Sequence, residues 1–165
     1  MKPIYLLDNN VLIFLQWGDP HFQFGGIYDW VDTMAQSGRI YIPEVVLSEF
    51  KNKDRKQWFN DRPHLCLSHD DDQDECLEVL VNELPEFLDT TKTTVEGDQP
   101  LVAAAMSINR ASSGSYATGQ AIVVSHEQRR KANFPFLKVP DACDHYNISC
   151  ISFFEMLRME GVLTI

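Results

Sequence analysis

The sequence predicts an α/β domain: a central parallel sheet covered by helices on both faces, in three layers. Three observations carry this. Short strand-like runs recur at 4–7, 39–42, 121–124 and 148–151. Segments with apolar residues at helical spacing alternate with them, the pattern of parallel strands joined by helical crossovers. At 165 residues, with no internal repeat and no dividing linker, the chain makes one domain over 1–165.

The elements follow in order. Ile4-Tyr5-Leu6-Leu7 is a continuous apolar run ended by Asp8, the form of a buried strand. Asn9 or Asn10 can cap the next helix, Val11 to Leu15. Residues 17–26 read as a loop. Ile27, Trp30, Val31 and Met34 recur at helical spacing, and Gly38 stops that helix. Residues 39–42 are a second strand, after which Pro43 sits in the first turn of a helix carrying Val46, Leu47 and Phe50. Residues 60–69 read as irregular. Leu77, Leu80, Val81, Leu84 and Leu88 mark a helix that Pro85 breaks. Asp98-Gln99-Pro100 opens a helix to about Ile108. A small-residue loop, 111–119, precedes the third strand, 121–124. A basic connection, 126–138, a short helix from Ala142 to Tyr146, the strand 148–151 and a helix from Phe153 to Met159 complete the chain.

Composition excludes several classes. With 44% apolar and 23% charged residues the chain is an ordinary globular sequence and not a disordered one. No apolar run is long enough to span a membrane, and the N-terminal apolar stretch is too short for a secretion signal, so the expected location is the cytoplasm. The four cysteines form no C-x-x-C pair and read as reduced thiols. The net charge of −10 is concentrated: residues 70–98 hold eleven acids against Lys92 alone, and the remainder is neutral. A polyanionic substrate is therefore not excluded, but it should not lie on that surface.

Ligands of open parallel sheets bind at the carboxyl ends of the strands. Asp8 ends the first strand, Glu127 lies just past the third, Asp98 opens a helix, and Glu49 lies in the helix after the second strand. Four acids on one edge repel one another unless a cation joins them. All-oxygen ligands suit Mg²⁺ or Mn²⁺, and carboxylate-held divalent metals serve phosphodiester hydrolysis by activating water and stabilising the leaving oxygen.

Four segments resemble the PIN-domain family of nucleases. Tyr5-Leu6-Leu7-Asp8-Asn9-Asn10-Val11-Leu12-Ile13 is similar to the family's strand, D-[ST]-N and apolar helix. Ile42-Pro43-Glu44-Val45-Val46-Leu47-Ser48-Glu49-Phe50 resembles its second strand, Pro and helical Glu. Gly97-Asp98-Gln99-Pro100-Leu101-Val102-Ala103-Ala104-Ala105 resembles its third acidic position before an Ala-rich helix. Ile122-Val123-Val124-Ser125-His126-Glu127 resembles its strand, Ser or Thr, and Asp. Asn9 stands where the family usually has Thr or Ser, and Glu127 where Asp is commoner. Lys138-Val139-Pro140-Asp141-Ala142-Cys143 resembles a PIN-like subgroup without an established activity. The resemblance implies a PIN-like α/β/α fold and a Mg²⁺- or Mn²⁺-dependent endoribonuclease, the toxin of a bacterial toxin–antitoxin pair. Asp8, Glu49, Asp98 and Glu127 would be its catalytic metal ligands, with Asn10 and Ser125 in support. RNA, an antitoxin protein and a second copy of the chain are the implied partners.

Each residue also has a structural explanation. Asp8 and Asn10 can cap a helix, and Asp98 can open one before Pro100. Glu44 suits a first helical turn through the dipole alone, whereas Glu49 lacks that explanation. Lys51, Lys53, Arg55 and Lys56, and then Arg129, Arg130 and Lys131, are either solvated faces or phosphate contacts beside Glu49 and Glu127. The acidic run from Asp70 lacks the Gly and the bidentate Glu of a calcium loop and reads as a helix start. His64-x-Cys66-x-x-His69 lacks a fourth zinc ligand. Two other functions remain: an inactive PIN-like binding scaffold, and a haloacid-dehalogenase-type phosphatase. The phosphatase needs a second Asp where Asn10 stands.

Overall fold

A computed structural model describes residues 2–17, 25–51, 53–89, 91, 97–112 and 119–163. Five strands, β1 (Ile4–Leu7), β2 (Ile40–Pro43), β3 (Cys66–Leu67), β4 (Ala121–Val124) and β5 (Ser149–Ile151), form one parallel sheet in the order β3-β2-β1-β4-β5. The helices are α1 (Asn9–Trp17), α2 (Gly25–Gln36), α3 (Glu44–Glu49), α4 (Lys53–Asn60), α5 (Asp71–Glu83), α6 (Asp98–Ser112), α7 (Val139–His145) and α8 (Phe153–Met159). The chain runs from β1 outward to β2 and β3, then crosses back to β4 and β5 on the other side; with right-handed crossovers this reversal places the helices on opposite faces, giving a three-layer α/β/α arrangement.

The central pair fixes the register. Ile4 to Leu7 lie opposite Ala121 to Val124, and every residue of β4 is buried, as a strand covered on both faces requires. Tyr5, Leu6, Leu7, Ile40, Ile42, Val123 and Val124 fill the middle. Leu101 to Ala105 of α6 are wholly buried, and α6 packs on α5, β4 and α7. At the amino edge of the sheet, Glu160 accepts hydrogen bonds from the Tyr5 hydroxyl (2.6 Å) and from both Arg39 amino groups (2.7 and 2.6 Å). That cluster ties the turn after α8 to β1 and to the residue before β2.

Several boundaries differ from the sequence reading. The helix after β1 begins at Asn9, because the Asp8 carbonyl already accepts from Val11 and Leu12 (3.0 and 3.3 Å); Asn9 and Asn10 stand in its first turn. Pro43 ends β2 and precedes α3, whose six residues finish at Glu49. The stretch 60–69 contains β3, which extends the sheet through Ile42–Cys66 and Pro43–Leu67 pairs. Helix α6 runs on to Ser112, and α7 starts earlier, at Val139. Of the expected loops, 18–24 and 113–118 lie outside the described residues, while Gly25 already belongs to α2. Gly38 ends α2 with a positive φ of 71°, the left-handed turn that glycine adopts freely. All four cysteines are free; Cys76 and Cys143 are buried, Cys66 and Cys150 half-buried. Among the described residues no helix is long and apolar enough to cross a membrane.

Candidate active site

Strand order reverses direction between β1 and β4, so the connections leaving these two strands diverge and open a crevice at their carboxyl ends. Asp8 follows β1, and Ser125 to Glu127 follow β4. Asp8, Asn9, Asn10, Ile13, Glu49, Asp98 and Glu127 line one open cleft there, of about 240 Å³. All four acids expected from the sequence therefore face the same space.

Asp8 is the innermost, 4% exposed. Its Oδ2 accepts from Asn10 Nδ2 (2.6 Å) and from Ser125 Oγ (2.7 Å). Asn10 Nδ2 also donates to Ser125 Oγ (3.0 Å), and Asn10 Oδ1 accepts the His126 N–H (2.9 Å). Ser125 Oγ in turn accepts the Glu127 N–H (3.0 Å). Asn10 and Ser125 thus stitch the ends of β1 and β4 together around the carboxylate. Burial pushes the Asp8 carboxyl above its ordinary value and the Glu127 charge adds to this, while hydrogen bonds from Ser125, the Asn9 backbone and Asn10 pull the other way.

Glu49 Oε1 accepts the Gly97 N–H (2.6 Å). A Cβ on Gly97 would stand 2.9 Å from Val46 Cγ2 and 3.1 Å from Glu49 Oε2, so only glycine brings the start of α6 this close to α3. Asp98 occupies the first turn of α6, where a negative charge faces the helix N-terminus. Both Glu127 oxygens are engaged: Oε1 accepts from Lys138 Nζ (3.2 Å) and Oε2 from the Val139 N–H (3.1 Å).

The donor set is suited to a hard divalent cation. It is all oxygen, negative, and built round a buried carboxylate whose ionisation costs energy without a positive partner. Asn9 Oδ1, buried and without a hydrogen-bond partner, belongs to a residue of the same cleft. Among the described residues, however, no three His, Cys, Asp or Glu side chains stand as a ready ligand group. The hydrogen bonds above hold Asp8, Glu49 and Glu127 on separate donors.

The basic residues are placed unevenly. Arg129 makes a two-pronged pair with Asp144 (2.7 and 3.0 Å), whereas Arg130 and Lys131 are exposed. Lys51 is exposed, and Lys56 Nζ lies 3.4 Å from the Ser48 carbonyl. The side chains of Lys53 and Arg55 lie outside the described residues. His64 pairs with Asp32 and His69 with Asp74, so the histidines of the zinc-like spacing serve separate contacts. Asp70 accepts the Gln73 N–H (2.9 Å) as the cap of α5, which accounts for the start of the acidic run. Sequence reasoning missed Asn9, Gly97 and Lys138 as site residues. Gly97 and Lys138 stood inside quoted motifs, but their contacts span 48 and 11 residues and leave no periodic signal.

Residues 5–164 match the model of a family described as a domain of unknown function, DUF4411. No curated protein and no solved structure matches the chain.

Proposed function

Since the chain belongs to the DUF4411 family, whose description assigns no chemistry, we propose from its site that it is a metal-dependent endoribonuclease, the toxin of a toxin–antitoxin pair. The observation that carries this reading is the convergence of Asp8, Glu49, Asp98 and Glu127 on one cleft at the switch point of the sheet. Substrate class and biological role rest on the resemblance of the four acidic segments to PIN-domain nucleases.

Asp8, Glu49, Asp98 and Glu127 would hold Mg²⁺ or Mn²⁺, which when bound supplies an activated water and charge stabilisation at the leaving oxygen of a phosphodiester. The chain's own groups do the positioning. Ser125 and Asn10 fix the Asp8 carboxylate by donating to it, and both of their oxygens are in turn held by backbone N–H groups. Gly97 fixes Glu49 in the same way. Exposed Arg130 and Lys131 would steer RNA towards the cleft.

The test is incubation of the purified chain with single-stranded RNA in Mg²⁺ or Mn²⁺. Internal cleavage is expected with the wild type and none with Asp8→Asn. Expression should arrest growth, and Asp8→Asn should relieve the arrest. Equal cleavage by the folded variant sinks the proposed site. A second reading, an inactive binding scaffold, is favoured by the protein donors that occupy Asp8, Glu49 and Glu127. It predicts RNA or protein binding with no metal-dependent cleavage.

A further inference from the structure

Glu127 and the segment that follows it do more than the metal reading asks of them. Both Glu127 oxygens are engaged, one by the Lys138 ammonium and one by the Val139 N–H at the start of α7. These contacts orient both oxygens, so a metal ion would have to share the carboxylate with them. The pair is half-buried, Lys138 at 31% and Glu127 at 23% exposure, so it is not a freely solvated surface contact. Asp141 Oδ2 accepts the N–H of Lys138 and of Arg130 (2.9 Å each), pinning both ends of the connection between them. Pro140, in the first turn of α7, stiffens the backbone beside them. The ammonium also lies over the Phe134 ring at 5.2 Å. Charge, backbone and aromatic face together hold one cation 3.2 Å from a carboxylate that lines an otherwise acidic cleft.

We infer that Lys138 is a phosphate-contacting residue of this site and that Glu127 is its positioning residue, leaving Asp8, Glu49 and Asp98 as the metal-binding acids. The inference rests on the nuclease reading for its ligand, the phosphodiester backbone of single-stranded RNA. An acidic cleft repels that backbone, and a part-exposed cation beside it, 3.2 Å from the lining Glu127, offsets the repulsion where the strand must approach. An ammonium has three donor hydrogens. Lys138 can therefore keep Glu127 and still donate to a phosphate oxygen. Arg129, the neighbouring cation on the same connection, is held by Asp144.

The experiment separates RNA contact from metal contact. A fluorescently tagged single-stranded RNA is titrated in EDTA, so that nothing is cleaved, at several salt concentrations. Lys138→Met keeps the aliphatic stem against Phe134 and removes the charge. It should weaken binding at least fivefold and lower the log–log salt slope by about 0.7, the contribution of one phosphate contact on a single strand. Lys138→Arg should restore most of the affinity. Arg158→Gln, a charge change on α8 outside the cleft, should leave it unchanged. In Mn²⁺ titration calorimetry, Glu127→Gln should keep the wild-type affinity within about twofold, while Asp8→Asn loses tenfold or more. Unchanged RNA binding by Lys138→Met, or loss of Mn²⁺ by Glu127→Gln as by Asp8→Asn, overturns the inference. If the wild type still cleaves RNA, the nuclease reading survives that result. A wild-type chain that binds no RNA overturns both.

Discussion

Asp8 is held in a place that disfavours its charge. Burial raises its carboxyl pKa above the ordinary 3.8, and its three kinds of hydrogen-bond donor do not cancel the effect. A raised folded-state value means that the folded chain binds the proton more tightly than the unfolded chain. This contribution to stability is complete below pH 3.8 and is lost as pH rises through the folded value. Asp8→Asn removes the loss while keeping an oxygen for Asn10 and Ser125. The variant should therefore be inactive but more stable at neutral pH, with a higher Tm than the wild type. Calorimetric melts at pH 7.5 and pH 3.5 should show that advantage vanishing in acid. Gly97 gives the opposite case. The methyl of Gly97→Ala meets Val46 at 2.9 Å, so α3 and the start of α6 must part and Glu49 loses its N–H donor. Overpacking of this kind costs about 1–3 kcal/mol. Melting should fall accordingly and Mn²⁺ affinity with it, and an unaltered affinity would place Glu49 outside the metal site.

Among the elements, the 126–138 connection and α5 show what a charged segment does once folded. Arg129 already spends its guanidinium on Asp144. Replacing Arg129, Arg130 and Lys131 with Ala should thus lower the single-strand salt slope by about 1.4, two contacts, rather than the 2.1 of three. RNA affinity at four salt concentrations reads this directly. Changing Asp70, Asp71, Asp72 and Asp74 to Asn should leave Mn²⁺ binding unaltered, since Asp70 caps α5 and Asn caps as well. Loss of Mn²⁺ heat would revive a cation site there. The same elements show what the sequence could reveal. Strand ends and helix starts are local, so Asp8, the α5 start and Gly38 were readable from a few neighbouring residues. Strand β3 was not: two residues have no period, and its pairing with Ile42 and Pro43 is set by what lies beside them in space. The convergence of the acids followed from strand order, whereas the partners that hold them, Gly97 for Glu49 and Lys138 for Glu127, depend on loop paths that no spacing encodes.

Across the whole molecule, the two edges of the sheet carry different charged work. The carboxyl edge gathers acids, and the amino edge holds the cluster of Tyr5, Arg39 and Glu160. Hydrogen bonds from Arg39 keep the Glu160 carboxyl below its ordinary 4.5, so its contribution is present above that value and is lost as pH falls through the depressed one. Glu160→Gln should cost about 2 kcal/mol at pH 7, because Arg39, 13% exposed, loses its counter-charge, and the deficit should shrink as the wild type is acidified. Urea melts at pH 7 and in acid test it. The pairing of β1 with β4 has a consequence in time. Asp8 and Ser125 are 117 residues apart in the chain, yet they close the central hydrogen bond of the cleft. Bringing two such distant points together costs about 4 kcal/mol of chain entropy before any contact offsets it. At about 5–20 residues per second, a ribosome adds Ser125 some 6–23 s after Asp8. Throughout that interval the first strand lacks its central neighbour, so the acids up to Asp98 are made before the cleft that gathers them can form.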